Sequence, residues 1–142
     1  MLELPSQERD KLYSLRKTVE GPRLRWEFVN NAYRLETDVF VEGQTLPKAT
    51  LKVKATMTAR RYSFSLWYNN NQLIRRWDIK RHVHVDGTVI CGPHKHRWTE
   101  EHGERHVYPV NDVAENDVNQ GLLDFLTECN INILGVYQTV LL

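Results

Sequence analysis

The sequence predicts an α+β fold: a largely antiparallel, twisted sheet of five or six strands with an N-terminal and a C-terminal helix on one face. Three observations lead there. Apolar residues recur at helical spacing near both ends, they alternate with polar ones through the middle, and turn-forming pairs separate the alternating runs. At 142 residues, 41% of them hydrophobic, the chain can bury the core of one domain spanning residues 1–142.

The first helix is expected to begin at Pro5-Ser6, which offers an N-cap, with Glu8 and Asp10 in its first turns. Leu12, Leu15 and Val19 extend its apolar stripe until Gly21-Pro22 stops it. From there the period is two. Leu24, Trp26 and Phe28 alternate with Arg23, Arg25 and Glu27, and after a turn at Asn30-Asn31 the run Tyr33 to Val41 alternates again. Leu51, Val53, Ala55 and Met57 make a third strand, and Tyr62, Phe64, Leu66 and Tyr68 a fourth. Asn69-Asn70-Asn71 turns the chain into a fifth, Gln72 to Ile79. Near the end, Asp117 and Gln120 form a capping-box pattern ahead of the stripe Val118, Leu122, Phe125 and Cys129, so a second helix is expected to end near Asn130. The apolar tail from Ile131 to Leu142 either completes the core as a last strand or forms a surface for self-association or a partner.

Composition narrows the function classes. The N-terminus lacks a basic and apolar leader pattern, and the tail is too short and polar to span a bilayer, so a cytoplasmic protein with no membrane role is expected. Cys91 and Cys129 have no partners at zinc-finger spacing, and both are read as buried small side chains. The net charge of +1 conceals a partition: residues 1–47 sum to −1, residues 48–97 to +9 and residues 98–142 to −7. A basic segment with interleaved aromatics points to an anionic partner, a nucleic acid and RNA first. The alternative is that the acidic last third folds over the basic sheet. The residues expected to touch nucleic acid are Lys52, Lys54, Arg60, Arg61, Arg75, Arg76, Lys80, Arg81 and Arg97, with Arg23, Arg25, Ser63, Ser65 and Trp67 also on the polar side of the sheet.

All six histidines lie in the 25 residues from His82 to His106, four of them in two His-x-His pairs. In an extended segment each pair projects to one side, which makes His82/His84 and His94/His96 two-point clamps. Asp86-Gly87 is a favoured hairpin dipeptide, and Gly92-Pro93 re-aims the chain just before His94. Three chemistries fit. In the first, His94, His96 and His82 exchange protons in phosphodiester cleavage without a metal, while Lys95 stabilises developing negative charge. In the second, His82, His84, His94 and His96 hold a divalent transition metal, with Glu100 or Glu101 as a carboxylate ligand. Gly87 followed by His94-Lys95-His96 and these glutamates also loosely resembles the first metal motif of cupin barrels. In the third, the histidines are structural and pair with Asp78, Asp86 and nearby glutamates. Asp78 either orients His82 or neutralises one of the neighbouring arginines. His102 is expected at the surface.

The order LIRRWD, a histidine pair, GPHKH, the strand HVYPV and the helix NQGLLDFL resembles the TumE-type toxins of bacterial toxin/antitoxin modules, and related uncharacterised small bacterial and phage proteins. The similarity covers about residues 61–130 and implies that Trp77, Asp78, His82, His94 and His96 are shared positions. Where the resemblance leads one to expect a proline-containing loop, this chain carries RHVHV, and residues 4–58 have no counterpart. Joined to the histidine cluster and the basic segment, the resemblance leads to the expectation of a toxin-like, metal-independent ribonuclease held by a partner such as an antitoxin. The competing expectation is a non-enzymatic regulator that inhibits a host protein, and self-association is compatible with either.

Overall fold

A computed structural model describes residues 3–56, 61–79, 82–83, 87, 89–90, 92–104, 106–113 and 117–139, with the backbone alone at 82, 83 and 90. In chain order the elements are α1 (Ser6–Ser14), β1 (Lys17–Glu20), a 3-10 turn (Gly21–Arg23), β2 (Glu27–Val29), β3 (Ala32–Val41), β4 (Ala49–Thr56) and β5 (Tyr62–Tyr68). They continue with β6 (Gln72–Asp78), β7 (His82–Val83), β8 (Val89–Ile90), β9 (His94–His96), β10 (Val107–Pro109), α2 (Val118–Glu128) and β11 (Ile131–Leu134). Nine of these strands make one sheet in the order β10-β9-β6-β5-β4-β3-β1-β11, with β2 also on β3, while β7 and β8 pair separately. The α+β class holds and the sheet is mostly antiparallel, but it is larger than the five or six strands expected. The additional strands are two to four residues long, too short to leave a period-two signature.

Local chemistry accounts for the central meander. Asn30 and Asn31 both take positive φ, 52° and 62°, and so do Asn69 and Asn70, at 49° and 69°. Asparagine tolerates this left-handed backbone, and two such residues in succession match the twist of the strands they join. β3, β4 and β5 then bury alternate residues, among them Leu35, Val39, Leu51, Val53, Phe64 and Leu66. The helices cover that face. Phe125 of α2 packs on Phe64 and Trp77 with ring centroids 5.6 and 5.3 Å away. Tyr13 of α1 lies over the guanidinium of Arg75, which pairs across the sheet with buried Leu66. Gly121 permits the close approach of α2: a Cβ there would stand 3.1 Å from the Phe64 ring. Asp117 caps α2 by accepting from the Gln120 amide, as the capping-box pattern predicts.

Three expectations are corrected. The first helix ends at Ser14, and Lys17–Glu20 is instead a strand between β3 and β11. The apolar tail supplies the reason, since Ile131 to Leu134 pair in parallel register with Lys17 to Glu20, and this distant pairing overrides the helical spacing of Leu15 and Val19. Its first four residues therefore complete the sheet. The Ser6 side chain makes no N-cap; Ser6 instead donates its amide and hydroxyl to Glu100 at 2.9 and 2.7 Å. The strand expected at Leu24–Phe28 shrinks to Glu27–Val29, whose residues are exposed, because after the Gly21–Arg23 turn Leu24 is fully buried and Trp26 only partly packed on the core.

Candidate active site and nucleic-acid interface

β9 pairs with β6, setting Asp78 opposite His94 and Arg76 opposite His96. On the other side of β6, Ser63 faces Asp78 and Ser65 faces Arg76. Two polar rows therefore cross the face that the helices leave uncovered: Arg34, Lys54, Ser63, Asp78, His94 and, beside it, Glu36, Lys52, Ser65, Arg76, His96. Alternation within each strand keeps these side chains together on one side.

The histidine end of the rows is buried. His94, His96 and Asp78 are 1%, 6% and 5% exposed. One ligand-capable atom from each lies within 4.8 Å of the others. Nδ1 of His94 donates to the Gly92 carbonyl at 3.0 Å, and Nδ1 of His96 donates to the Glu104 carbonyl at 2.9 Å. A carbonyl oxygen only accepts, so both Nδ1 atoms carry the proton, and in the neutral ring each Nε2 presents a lone pair. Gly92, at φ +92°, adopts a backbone that glycine enters without strain and turns its carbonyl onto the following histidine. Arg76 donates to Oδ2 of Asp78 at 2.9 Å, the arginine pairing anticipated for this carboxylate.

The basic end is an open groove of about 240 Å³. Arg34, Lys52, Lys54 and Arg76 line it with Glu36, Ser63, Ser65 and Trp67. Four cations meet one carboxylate there, and among the described residues Arg34, Lys52 and Lys54 form no ion pair. The Trp67 indole donates to Ser65 Oγ at 2.8 Å, and Lys52 Nζ sits 5.7 Å from its ring centre. A neighbouring hollow differs in charge. It shares Arg34 and Glu36 with the groove and adds Arg23, Arg25, Glu27 and Asp38, so three cations there stand beside three carboxylates.

Several predicted site residues lie elsewhere. Lys95 points to the helix side, as a residue between two outward histidines must, and donates to Glu128 at 2.7 Å and Asp112 at 2.9 Å with its ammonium 4.4 Å from the Trp77 ring. Burial alone would lower its pKa, yet those bonds and charges hold it above the ordinary lysine value. It is not placed to stabilise charge beside His94 and His96. Arg75 shares that inner side and pairs with Asp10 at 2.7 Å; Arg97, half exposed, bonds the same carboxylate. Burial would raise the Asp10 pKa, but Arg97 and Arg75 outweigh it and hold the carboxyl below the usual range. Arg61 is exposed at the entry to β5.

Glu100 caps α1 and Glu101 stands beside His102 at 3.7 Å, so neither joins the His94/His96 cluster. His102, half-buried, stacks on His106 with centroids 6.5 Å apart, a separate pair. Arg60, Lys80, Arg81, His84, Asp86 and Cys91 lie outside the described residues, as does the side chain of His82. The backbone pairing of His82 with Ile90 and Val83 with Val89 does form the hairpin expected around Asp86-Gly87. Among the described residues, the ion pairs between the basic segment and the acidic third lie on the helix side, where Lys95 meets Asp112 and Glu128. Arg34 and Glu36 were missed as groove residues. Their signal was present in the alternation of β3, but which strands flank it decides what they face.

No helix among the described residues is long and apolar enough to cross a membrane. Residues 6–131 match the model of a family described as a family of unknown function, DUF6978. No curated protein and no solved structure matches the chain.

Proposed function

Because the chain belongs to DUF6978, a family without an assigned activity, we propose from the site alone that it acts on nucleic acid, with single-stranded RNA as the first substrate to test. The observation that carries this reading is the groove lined by Arg34, Lys52, Lys54, Arg76 and Trp67 with a single carboxylate, Glu36. Phosphates supply the charge such a surface lacks, and an indole among cations is a stacking platform for an unpaired base. Arg76 links groove and histidines, since it lines the first and bonds Asp78 in the second. A strand held in the groove therefore ends beside Asp78, His94 and His96, the natural place for cleavage. The toxin-like reading, with an antitoxin as partner, is one form of this proposal; a regulator that holds nucleic acid without cutting it is the other.

The test is a pair of assays on the full chain with a short unstructured RNA. Anisotropy should report saturable binding, and gel analysis should report cleavage that His94→Ala and His96→Ala each reduce by at least about 100-fold, the scale of a lost acid–base or electrostatic group. Binding with no cleavage by the wild type leaves the regulator form. No binding at low salt rejects nucleic acid as the partner.

A further inference from the structure

From the geometry of Asp78, His94 and His96 we infer a binding site for one divalent first-row transition metal ion, with zinc and iron(II) as the leading class. The inference rests on the ligand arrangement and holds whether or not nucleic acid is the substrate. Two imidazoles and a carboxylate on two paired strands are brought together at the inner end of the outer face, all of them buried. Imidazole nitrogen with one carboxylate oxygen is a donor set that these ions accept and that magnesium and calcium do not favour.

The tautomers are set for ligation. Each ring commits its Nδ1 proton to a backbone carbonyl, Gly92 for His94 and Glu104 for His96, and so directs Nε2 as the basic nitrogen. Ligating histidines are typically held this way, through a carbonyl or carboxylate on the far nitrogen. Arg76 on Oδ2 fixes the plane of the Asp78 carboxylate as a further outer support. One ligand-capable atom of each residue lies within 4.8 Å of the others. An ion bonded to each at about 2.1 Å draws them to about 3.5 Å, a contraction within reach of small ring rotations. Among the described residues such an ion has three protein ligands, one fewer than a closed structural zinc site uses. Arg76 would then stand between the ion and the groove.

Among the described residues Asp78 takes the carboxylate place expected of Glu100 or Glu101 beside His94 and His96, while the side chains of His82 and His84 lie outside them. This assignment makes the site's chemistry depend on a metal rather than on free imidazoles.

The experiment uses the full chain purified without a histidine tag, stripped with chelator, and titrated with cobalt(II) alone. The expected result is a visible absorption band saturating at one equivalent, displaced by zinc, and a melting temperature that climbs with metal concentration. His94→Asn, His96→Asn and Asp78→Asn should each weaken binding at least 100-fold, while Lys52→Glu/Lys54→Glu should leave it within about threefold. Failure of the stripped protein to bind one equivalent overturns the site, and so does undiminished binding by a folded His94→Asn/His96→Asn double variant. If those variants do not fold, the wild-type melting shift decides: a temperature unmoved by zinc or cobalt contradicts the inference. No step uses RNA, so a failure here is distinct from failure of nucleic-acid binding.

Discussion

The two faces of the sheet hold cations in opposite ways. On the helix side each is saturated. Lys95 bridges Glu128 and Asp112, Arg75 holds Asp10, Arg9 donates to the Leu4 and Leu73 carbonyls and to Glu3 and Gln72, and Lys17 donates to the carbonyls of Tyr13, Leu15 and Cys129. On the outer face Arg34, Lys52 and Lys54 line a groove with a tryptophan and one carboxylate. Charge whose partners come from the same chain holds the fold together. Charge gathered without them is available to a ligand, and this separates the two groups more sharply than their shared place in the basic segment.

The largest expected contrast is in stability. Lys95→Met removes the cation between two carboxylates and leaves Glu128, which also accepts from the Trp77 indole at 2.7 Å, without its ammonium partner. Because Glu128 and Asp112 are partly open to water, the loss should be about 1.5 kcal/mol, the scale of a hydrogen bond to a charged group. Lys52→Glu/Lys54→Glu, on the open face, should change stability by no more than about 0.5 kcal/mol. Urea unfolding of both variants makes the comparison, and equal losses would erase the distinction between the faces.

A smaller effect sharpens the inner side. Burial pushes the Lys17 ammonium from its ordinary 10.5 down to about 8. Between those values the unfolded chain binds more protons than the folded one, so this residue makes stability rise with pH. Burial pushes the Cys129 thiol from 9.0 up to about 12, and there the folded chain holds the extra proton, so stability falls. The two oppose each other above about pH 9. The rise from Lys17 should therefore appear between about pH 8 and 9 and vanish in Lys17→Met, as read from unfolding midpoints across that range.

Much of this division was legible before the structure. Alternation in β3, β4 and β5, the asparagine turns and the Asp117 cap are local signals, and local signals survive into the fold. His94 and His96 likewise stood out by following Gly92-Pro93 in a His-x-His pattern, and the structure brings that pair together with Asp78. What escaped is nonlocal. Helical spacing ran on through Leu15 and Val19 because nothing near them announces Ile131–Leu134 as a strand partner. Lys95 had to point away from its neighbouring histidines, yet Asp112 and Glu128 waiting on the other side depend on where α2 docks. Asp78 joined the histidines only because β9, which follows the β7–β8 hairpin in the chain, pairs with β6.

The most direct test of the outer face as a polyanion surface is the salt dependence of single-stranded RNA affinity. If all four groove cations meet phosphates, log K should fall against log salt with a slope near about −3, about 0.7 for each phosphate neutralised. Lys52→Glu/Lys54→Glu should flatten that slope by about half and weaken binding throughout. An unchanged slope and affinity in the double variant would contradict the account and move any nucleic-acid contact off this face.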